Sequence, residues 1–387
     1  MHRQTDIDST FRPVYVVWEL TLKCDLACRH CGSRAGRPRD EEMSLDEAKA
    51  IADQLQQMGS KEVTFIGGEA YLYPFWEEIV AYTSSLGMVT TMTTGARALS
   101  QDKCLRLANA GMSAISISLD GLEGTHDTLR AVKGSFQNAI QAVADIQNAG
   151  MVAHANTQIN RLNKDELWAL GHLLMQKGVR SWQVQLTGAM GRAADRPDWL
   201  LQPYELLEIM PLLERLSLKG REQGFVLNAA NNLGYYGPVE SNIRHQYWKG
   251  CGAGRHVLGI ESNGAVKGCP SLPSEPYIGG NLRHNSLQEI WNTQRLAFAR
   301  EDRQHELWGH CKGCYYAKIC KGGCSWTSHT LLGKRGNMPY CYHRAQELAR
   351  KGIAEIVTLK EKASGNPFDF GLYELKEIPL PQHLQSI

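Results

Sequence analysis

The stretch Cys24-Asp-Leu-Ala-Cys28-Arg-His-Cys31 places three cysteines directly after an apolar run at Tyr15–Leu20. Thiolates are the usual protein ligands of iron–sulfur clusters and of structural zinc. A structural zinc site uses four ligands, but no fourth cysteine lies nearby, and His30 stands between two ligands where its ring would reach the metal awkwardly. Three thiolates on a cube of four irons would leave one iron open to a small molecule. We therefore favour a cluster over zinc.

The residues around this stretch alternate between apolar runs and helical patterns. Six βα units with nearly continuous apolar strands predict an α/β fold, a parallel sheet covered by helices in a partial, open (β/α)6 barrel, with functional loops at the carboxyl ends of the strands. The predicted strands are Tyr15–Leu20, Val63–Ile66, Val89–Thr93, Ala114–Leu119, Val152–Gln158 and Trp182–Leu186. The predicted helices are Ser44–Met58, Trp76–Leu86, Gln101–Ala110, Phe136–Ala149, Lys164–Lys177 and Tyr204–Lys219.

A second group of cysteines lies near the other end of the chain. Its members are Cys251, Cys269, Cys311, Cys314, Cys320, Cys324 and Cys341. The region has many glycines and little periodicity, as expected of a small domain held by metal rather than by a large core. Double zinc ribbons using His256 or His310 are an alternative at this point. Cys104, the eleventh cysteine, falls in a helical pattern and is predicted to be a packing residue.

The overall composition excludes several function classes. The 387 residues are 43% hydrophobic and 21% charged with a formal net charge of +2, so no broad charge points to nucleic acid or to an anionic membrane. The apolar runs are too short to span a membrane, and the polar N-terminus lacks the apolar segment of a signal peptide. We expect a cytoplasmic protein, in which clustered cysteines are more often metal ligands than disulfides.

The first cysteine group resembles the motif of the radical S-adenosylmethionine (SAM) superfamily, three cysteines separated by three and two residues. In that family the open iron binds the amino and carboxylate groups of SAM. An electron from the cluster cleaves SAM to a 5′-deoxyadenosyl radical, which abstracts hydrogen from an unactivated C–H bond. The resemblance thus implies that the protein positions SAM and excludes water, while the cofactor does the chemistry.

Further residues match the family at successive strand ends. Gly67-Gly68-Glu69 follows the second strand, where the family uses a GGE stretch for the SAM amino group, and glycine there would let the backbone approach a ligand. By the same resemblance Ser118 and Arg130 are candidates for the SAM carboxylate, and Asp120 for a nearby structural role. The SAM contacts implied are Gly67, Gly68, Glu69, Thr94, Ser118, Asp120, Arg130, Asn156 and Leu186. Taken alone, the glycine pair and Asp120-Gly121 also suit ordinary turns and Arg130 a surface ion pair, but their order along the chain favours the SAM site.

The second cysteine group resembles the SPASM domain of radical SAM maturases, which holds two auxiliary [4Fe–4S] clusters. By position, auxiliary cluster II takes Cys311, Cys314, Cys320 and Cys341, and auxiliary cluster I takes Cys251, Cys269 and Cys324. No cysteine stands where some relatives supply a fourth ligand to cluster I. Either His256 or another protein group completes that site, or one iron is open. The cofactors implied are SAM and three [4Fe–4S] clusters.

The resemblance also implies partners and a domain plan. Enzymes of this type mostly modify ribosomally made precursor peptides, so a peptide is the expected substrate. About thirteen residues precede the first strand, so we expect a separate leader-recognition protein, and an electron donor such as flavodoxin or ferredoxin. We expect a helix at His343–Glu361 and an extended tail at Ala363–Ile387. The predicted units are an N-terminal tail (1–13), the barrel (14–225), a linker (226–250), the SPASM domain (251–345) and a C-terminal helix and tail (346–387).

Five stretches resemble one subgroup of these maturases, the spliceases, which excise a tyrosine-derived tyramine unit and leave an α-keto-β-amino acid. The stretches are GGEAYL (67–72), NTQIN (156–160), QLTGAMG (185–191), CPSLP (269–273) and GGCSWTSH (322–329). The alternatives are a maturase that forms a thioether or carbon–carbon crosslink, a radical SAM dehydrogenase acting on a small molecule or protein side chain, and a non-catalytic cluster or zinc scaffold. No catalytic residue can be chosen from the sequence, because radical transfer depends on geometry.

Overall fold

The computed structural model of the chain describes residues 11–245, 248 and 250–385. Most of the predicted N-terminal tail and residues 246, 247 and 249 of the predicted linker lie outside this range. The predicted α/β fold is confirmed, with six parallel strands in the order β1-β2-β3-β4-β5-β6. Their bounds are β1 Tyr15–Thr21, β2 Glu62–Gly67, β3 Val89–Thr94, β4 Met112–Ser118, β5 Val152–Ile159 and β6 Ser181–Leu186.

Helices connect these strands and cover the sheet. Their bounds are α1 Leu45–Gln57, α2 Trp76–Ser85, α3 Gln101–Asn109, α4 Glu123–Arg130, α5 Ser135–Asn148, α6 Leu167–Gln176 and α7 Leu206–Glu222. A capping box of Ser44 and Glu47 starts α1. Helix α4 was not predicted, because its sequence EGTHDTLR is polar and has no apolar period, and its buried residues are His126, Leu129 and Arg130. Cys104 is fully buried in the core, as predicted.

The sheet continues beyond the six predicted strands. Strand β7 (Val226–Ala229) pairs in parallel with β6, so the predicted linker begins with a strand. Strand β8 (Val257–Ile260) pairs in parallel with the other side of β1, and β9 (Ala265–Lys267) and β10 (Ile278–Asn281) follow it in antiparallel order. Within the described residues the sheet therefore has ten strands. It combines strands from the predicted barrel with strands from the region of the second cysteine group.

Apart from β8, β9 and β10, the described part of the chain after β7 forms short helices and one hairpin. The helices are α8 Glu240–Arg244, α9 Ser274–Tyr277, α10 Leu287–Trp291, α11 Gln294–Ala297, α12 His310–Gly313, α13 Ala317–Cys320, α14 Ser325–Leu332 and α15 Tyr342–Ala349. The hairpin pairs β11 (Ile353–Glu361) with β12 (Leu372–Pro379) in antiparallel order. Among the described residues, no helix combines the length and the apolar character that crossing a membrane requires.

The helix predicted at His343–Glu361 forms only over its first part, and the tail predicted as extended contains a paired strand. Helix α15 ends at Ala349, and Gly352, with a φ of 73°, breaks the helical path. The β-branched residues Ile353, Ile356 and Val357 then favour a strand, which β12 completes from the predicted tail.

Candidate functional site

The first cysteine group forms a loop at the carboxyl end of β1. Cys28 is buried, while Cys24 and Cys31 are half-buried. Arg192, just after β6, holds this loop from the other side of the barrel: its Nε donates to the Cys28 carbonyl (2.6 Å) and its backbone N–H to the Cys31 carbonyl (2.9 Å). Arg192 was not predicted, although the pair Gly191-Arg192 stands in a loop that the predicted topology brings to this end of the sheet.

Gly67 and Gly68 let neighbouring backbone come close on the side where a Cβ would stand: the end of β1 at Thr21 for Gly67, and the cysteine loop for Gly68. A Cβ on Gly68 would lie 2.2 Å from the Lys23 carbonyl oxygen and 2.6 Å from Cβ of Cys24. The backbone N–H of Glu69 donates to the same Lys23 carbonyl (2.9 Å). The glycine at 68 therefore makes room for the cysteine loop. The expectation that the backbone of these two glycines also approaches a ligand stays a prediction.

Glu69 connects the ends of β2 and β3. Its buried carboxylate accepts from Thr94 Oγ1 (2.6 Å) and from the backbone N–H of Gly95 (2.6 Å). Burial raises the pKa of Glu69 to about 7, although these two hydrogen bonds oppose the shift. Glu69 and Thr94 thus face each other beside the cysteine loop, and their predicted contact with SAM stays a prediction.

Asp120 and Arg130 form a buried ion pair directly beneath the cysteine loop. Arg130 Nη1 also donates to Cys28 Sγ (3.5 Å), and Asp120 accepts from the backbone N–H of Gln158 (2.9 Å). Burial alone would raise the pKa of Asp120, but the positive charge of Arg130 and the contact with His30 bring it below its usual value. Asp120 therefore links the cysteine loop to β5, and the polar or structural role predicted for it beside SAM stays a prediction.

His30 faces away from the three thiols. Its Nε2 lies 2.9 Å from Asp120 Oδ2 and its Nδ1 lies 3.3 Å from the Leu129 carbonyl. Both ring nitrogens are therefore used, and His30 cannot serve as the fourth ligand of a zinc site.

The remaining predicted SAM contacts lie on β4, β5 and β6. Ser118 is the register neighbour of Asn156, and both side chains are half-buried. Asn156 Nδ2 donates to Ser116 Oγ (2.9 Å) on the same strand face as Ser118. Leu186 is different, because its side chain is buried in the core and its backbone N–H and carbonyl both bond to Asn232. The structure brings Ser118 and Asn156 together and keeps the Leu186 side chain apart.

Four cysteines of the second group line one cavity. They are Cys311, Cys314, Cys320 and Cys341, the set predicted to hold auxiliary cluster II. The backbone N–H of Met338 donates to Cys311 Sγ (3.4 Å), a contact of the kind that tunes cluster thiolates. Burial raises the pKa of all four thiols, so each would need the charge of bound iron to ionise.

The other three cysteines, Cys251, Cys269 and Cys324, also lie near one another. Burial raises the pKa of Cys269 to about 11, and the nearby Cys251 adds to the shift. Burial raises the pKa of Cys324 to about 12, with Cys251 and then Cys269 adding to it. The ring of His256 lies beside Gly252, the residue after Cys251, because a Cβ on Gly252 would be 2.6 Å from its Nε2. His256 stays a candidate for the fourth ligand.

The sulfur atoms of the cysteines lie farther apart than the ligands of a single zinc ion. Tetrahedral zinc at about 2.3 Å from each thiolate holds the sulfurs about 3.8 Å apart. All eleven cysteines are described and free, yet no three of their sulfurs lie within 4.8 Å of one another. The group of ligand atoms that does meet this limit among the described residues is Cys24, Asp25 and Glu69. The cysteine sulfurs are therefore not placed as one tetrahedral ion would hold them, and the cluster ligands stay a prediction.

Trp326 lies between the two cysteine regions. Its ring packs against an apolar cluster of Leu22, Ala35, Met190 and Phe368 beside Cys24 and Cys31. The same ring packs against a second cluster beside Cys251 and Cys269. Gly188 makes room for it, because a Cβ there would lie 2.3 Å from Cζ2 of the indole. The stretches QLTGAMG (185–191) and GGCSWTSH (322–329) therefore meet where Gly188 contacts Trp326.

Two family models match the chain. The model of the radical SAM superfamily matches residues 18–174. The model of the SPASM iron–sulfur cluster-binding domain matches residues 251–315. The two matches cover the first cysteine group and the beginning of the second.

Individual proteins resemble the chain over most of its length. The mycofactocin maturase MftC of Mycolicibacterium smegmatis is 30% identical over 318 residues, which are 81% of this chain and 78% of that protein. The AdoMet-dependent heme synthase of Nitratidesulfovibrio vulgaris is 26% identical over 349 residues, covering 86% and 93%. The crystal structure of Streptococcus suis SuiB bound to S-adenosylmethionine has a TM-score of 0.68 at 19% identity, covering 85% of this chain and 76% of that chain, and shows the same fold.

Proposed function

The chain belongs to the radical SAM superfamily and carries a SPASM iron–sulfur cluster-binding domain, and from this we propose that it modifies a ribosomally synthesised precursor peptide. It is an enzyme that uses SAM and iron–sulfur clusters. When bound, the cluster and SAM supply a 5′-deoxyadenosyl radical that abstracts hydrogen from the substrate. The observation that carries the proposal is the cysteine loop at the end of β1, to which Trp326 joins the region of Cys251 and Cys269.

The chain's own residues hold and shield this chemistry. Cys24, Cys28 and Cys31 would hold the cluster that binds SAM, and Arg130 would stabilise the Cys28 thiolate. Around them we propose as the SAM site Gly67, Gly68, Glu69, Thr94, Ser118, Asp120, Arg130, Asn156 and Leu186. We assign Cys311, Cys314, Cys320 and Cys341 to one auxiliary cluster and Cys251, Cys269 and Cys324 to the other.

Two similar proteins support a peptide substrate. MftC is a maturase, and SuiB has been crystallised with its precursor peptide SuiA. We extend the peptide class to this chain, together with a separate leader-recognition protein and a one-electron donor as partners. The finer proposal is a splicease that excises a tyrosine-derived tyramine unit. Its support is that Gly188 and Trp326, from two of the subgroup's stretches, meet beside the cysteine loop.

A small-molecule substrate is the second candidate. It is favoured by the heme synthase of N. vulgaris, which the chain matches over 93% of that protein's length. A crosslinking maturase is the remaining alternative within the peptide class.

Mass spectrometry separates these possibilities. The anaerobically reconstituted enzyme is incubated with SAM, a reductant and the small peptide encoded beside it, and the variant with Cys24, Cys28 and Cys31 replaced by alanine is the control. A splicease shortens the peptide by a tyramine unit, whereas a crosslinking maturase removes two hydrogens. Deoxyadenosine with an unchanged peptide would contradict the peptide proposal and favour a small molecule. Absence of deoxyadenosine from the wild type would contradict the whole proposal.

A further inference from the structure

The connection between β11 and β12 runs from the cysteine loop to the loop after β6. Asp369 in this connection accepts from Arg34 Nε (2.6 Å), in the segment that follows the cysteine loop. The Asp369 carbonyl accepts from the backbone N–H of Gly191 (2.8 Å), in the loop after β6. We call this connection, residues 362–371, the strap. It is held at both sides of the barrel that carry these loops.

Phe368 is the ring that the strap inserts into the protein. Residues 364–367 are exposed, whereas Phe368 is 8% exposed. Its φ of 58° lies in the left-handed region, which a bulky side chain rarely adopts. Backbone strain of this kind is concentrated at ligand clamps and switch regions. The contacts of the Phe368 ring therefore have to offset an unfavourable backbone conformation.

The Phe368 ring fills a pocket with an apolar wall. Three buried side chains form this wall beside Cys24 and Cys31, and they are Leu22, Ala35 and Met190. They come from the cysteine loop region and from the loop after β6, the two places that also hold the strap. The pocket therefore lies directly beside the loop that is predicted to hold the SAM cluster.

Two cations complete the pocket. Nζ of Lys267 lies 4.1 Å from the centroid of the Phe368 ring, and the guanidinium carbon of Arg39 lies 5.4 Å from it. Lys267 is 1% exposed and pairs with Glu261 (2.8 Å), while Arg39 pairs with Glu19 (2.8 Å) and with Glu261 (3.2 Å). Because the two carboxylates balance the cations, the pocket does not call for an anion. It suits the electron-rich face of an aromatic ring.

Lys267 lies on the face of the sheet that carries two predicted SAM contacts. Strand partners connect it to β4 in one row whose members share a face, and they are Lys267, Gly259, Val17, Thr64, Thr91 and Ala114. Ser118 lies four residues after Ala114 and so on the same face, as does its partner Asn156. Phe368 thus stands on the face of the sheet at which a substrate would meet SAM.

We propose that this pocket binds an aromatic side chain of the substrate peptide, and that Phe368 fills it until the peptide displaces the strap. The inference rests on the peptide substrate of the proposed function. An aromatic residue of the peptide would take over the apolar wall and the cations, so it competes with Phe368 for the same contacts. The fraction of molecules with a filled pocket then lowers the apparent affinity for the peptide. Relief of the strain at Phe368 favours the exchange.

Peptide binding tests this competition. The probe is the small peptide encoded beside the enzyme, fluorescently labelled and titrated anaerobically into the iron-loaded wild type, Phe368→Ala and Phe368→Tyr. The control is Phe75→Ala, which removes a ring that is 41% exposed and packs on Tyr73 instead. We expect Phe368→Ala to bind the peptide about tenfold more tightly than the wild type, since its pocket is empty. Phe368→Tyr and Phe75→Ala should stay within about twofold of the wild type.

Hydrogen exchange of the wild type gives a second readout that needs no variant. The peptide should speed amide exchange in residues 362–371, whereas the same peptide with leucine in place of its aromatic residues should not. Equal affinity of the wild type and Phe368→Ala would overturn the inference, as would slower exchange of the strap or equal release by the leucine peptide. If Phe368→Ala loses iron, the exchange of the wild type decides alone.

The outcomes separate this inference from the proposed function. Tighter binding by Phe368→Ala with release of the strap supports the pocket even if the peptide leaves the reaction unmodified, a result that contradicts only the proposed peptide chemistry. A modified peptide that all variants bind equally overturns only the pocket. A peptide that none of the variants binds overturns both.

Discussion

Gly68 is the residue at which the sheet and the cysteine loop come closest. We expect Gly68→Ala to displace Lys23 and Cys24, because its Cβ would overlap the Lys23 carbonyl oxygen at 2.2 Å. The predicted result is lower iron and sulfide content and loss of SAM cleavage, measured by chemical iron analysis and deoxyadenosine assay. Gly36→Ala is the matched control, since Gly36 lies beside the same loop with nothing within 4 Å of its added Cβ. Equal losses in both variants would contradict this account.

Gly188 and Trp326 are predicted to be energetically coupled. We expect Gly188→Ala to lower the free energy of unfolding by about 1–3 kcal/mol, because the new methyl group overlaps the indole. In Gly188→Ala/Trp326→Ala the overlap disappears, so the double variant should lose less than the sum of the single variants. Denaturant unfolding under anaerobic conditions gives the three values. Gly124→Ala, whose Cβ meets nothing within 4 Å, should not be destabilised, and strict additivity for the Gly188–Trp326 pair would refute the contact.

At the scale of elements, the connection between β11 and β12 reaches back to the cysteine loop. Arg34 Nε donates to Asp369 Oδ1 (2.6 Å), and its Nη1 donates to Asp195 Oδ2 (2.6 Å). The Asp369 side chain is 6% exposed and that of Asp195 is 48% exposed. The two carboxylates therefore give Arg34 one buried and one solvated partner.

This difference predicts unequal effects of removing the two carboxylates. We expect Asp369→Ala to cost about 2 kcal/mol and to speed amide hydrogen exchange in β11 and β12, since the pair is buried. Asp195→Ala should cost less than about 1 kcal/mol, because its pair is exposed and screened. Hydrogen-exchange mass spectrometry compares the two variants. Similar protection of the hairpin in both would show that Arg34 and Asp369 do not anchor it.

Elements with a strong apolar period could be predicted from the sequence. Elements that depend on pairing with a segment far away in the sequence could not. Strands β1 to β6 were found because each is a run of apolar residues followed by a helix pattern. Strand β8 has only four residues, and its partner β1 lies far away in the sequence. Arg192 was missed for the same reason, because its function depends on a loop that only the fold brings to it. The first cysteine group could be recognised from the sequence because its three members lie within residues 24–31.

At the scale of the whole molecule, the three cysteine sets predict that the bound iron is divided equally among three clusters. Replacing Cys24, Cys28 and Cys31 by alanine should remove about a third of the iron and sulfide, since one of three cubes is lost. Circular dichroism should stay close to that of the wild type, because the loop follows β1 rather than forming part of the sheet. Cys104→Ala is the control, since this buried thiol belongs to the core and should leave the iron content unchanged. Complete loss of iron in the triple variant would show that the sites do not fill independently.

Because β8 pairs with β1, the cysteine loop gains its full structural support only after β8 has been synthesised. Until Ile260 has left the ribosome, β1 has a neighbour on one side only, and its other edge is a row of unpaired backbone groups. Glu19 of β1 likewise lacks the hydroxyl and backbone N–H of Ser262, to which it bonds at 2.9 and 3.1 Å. The loop that begins three residues after β1 is thus among the first parts of the chain to be translated and among the last to gain its full support.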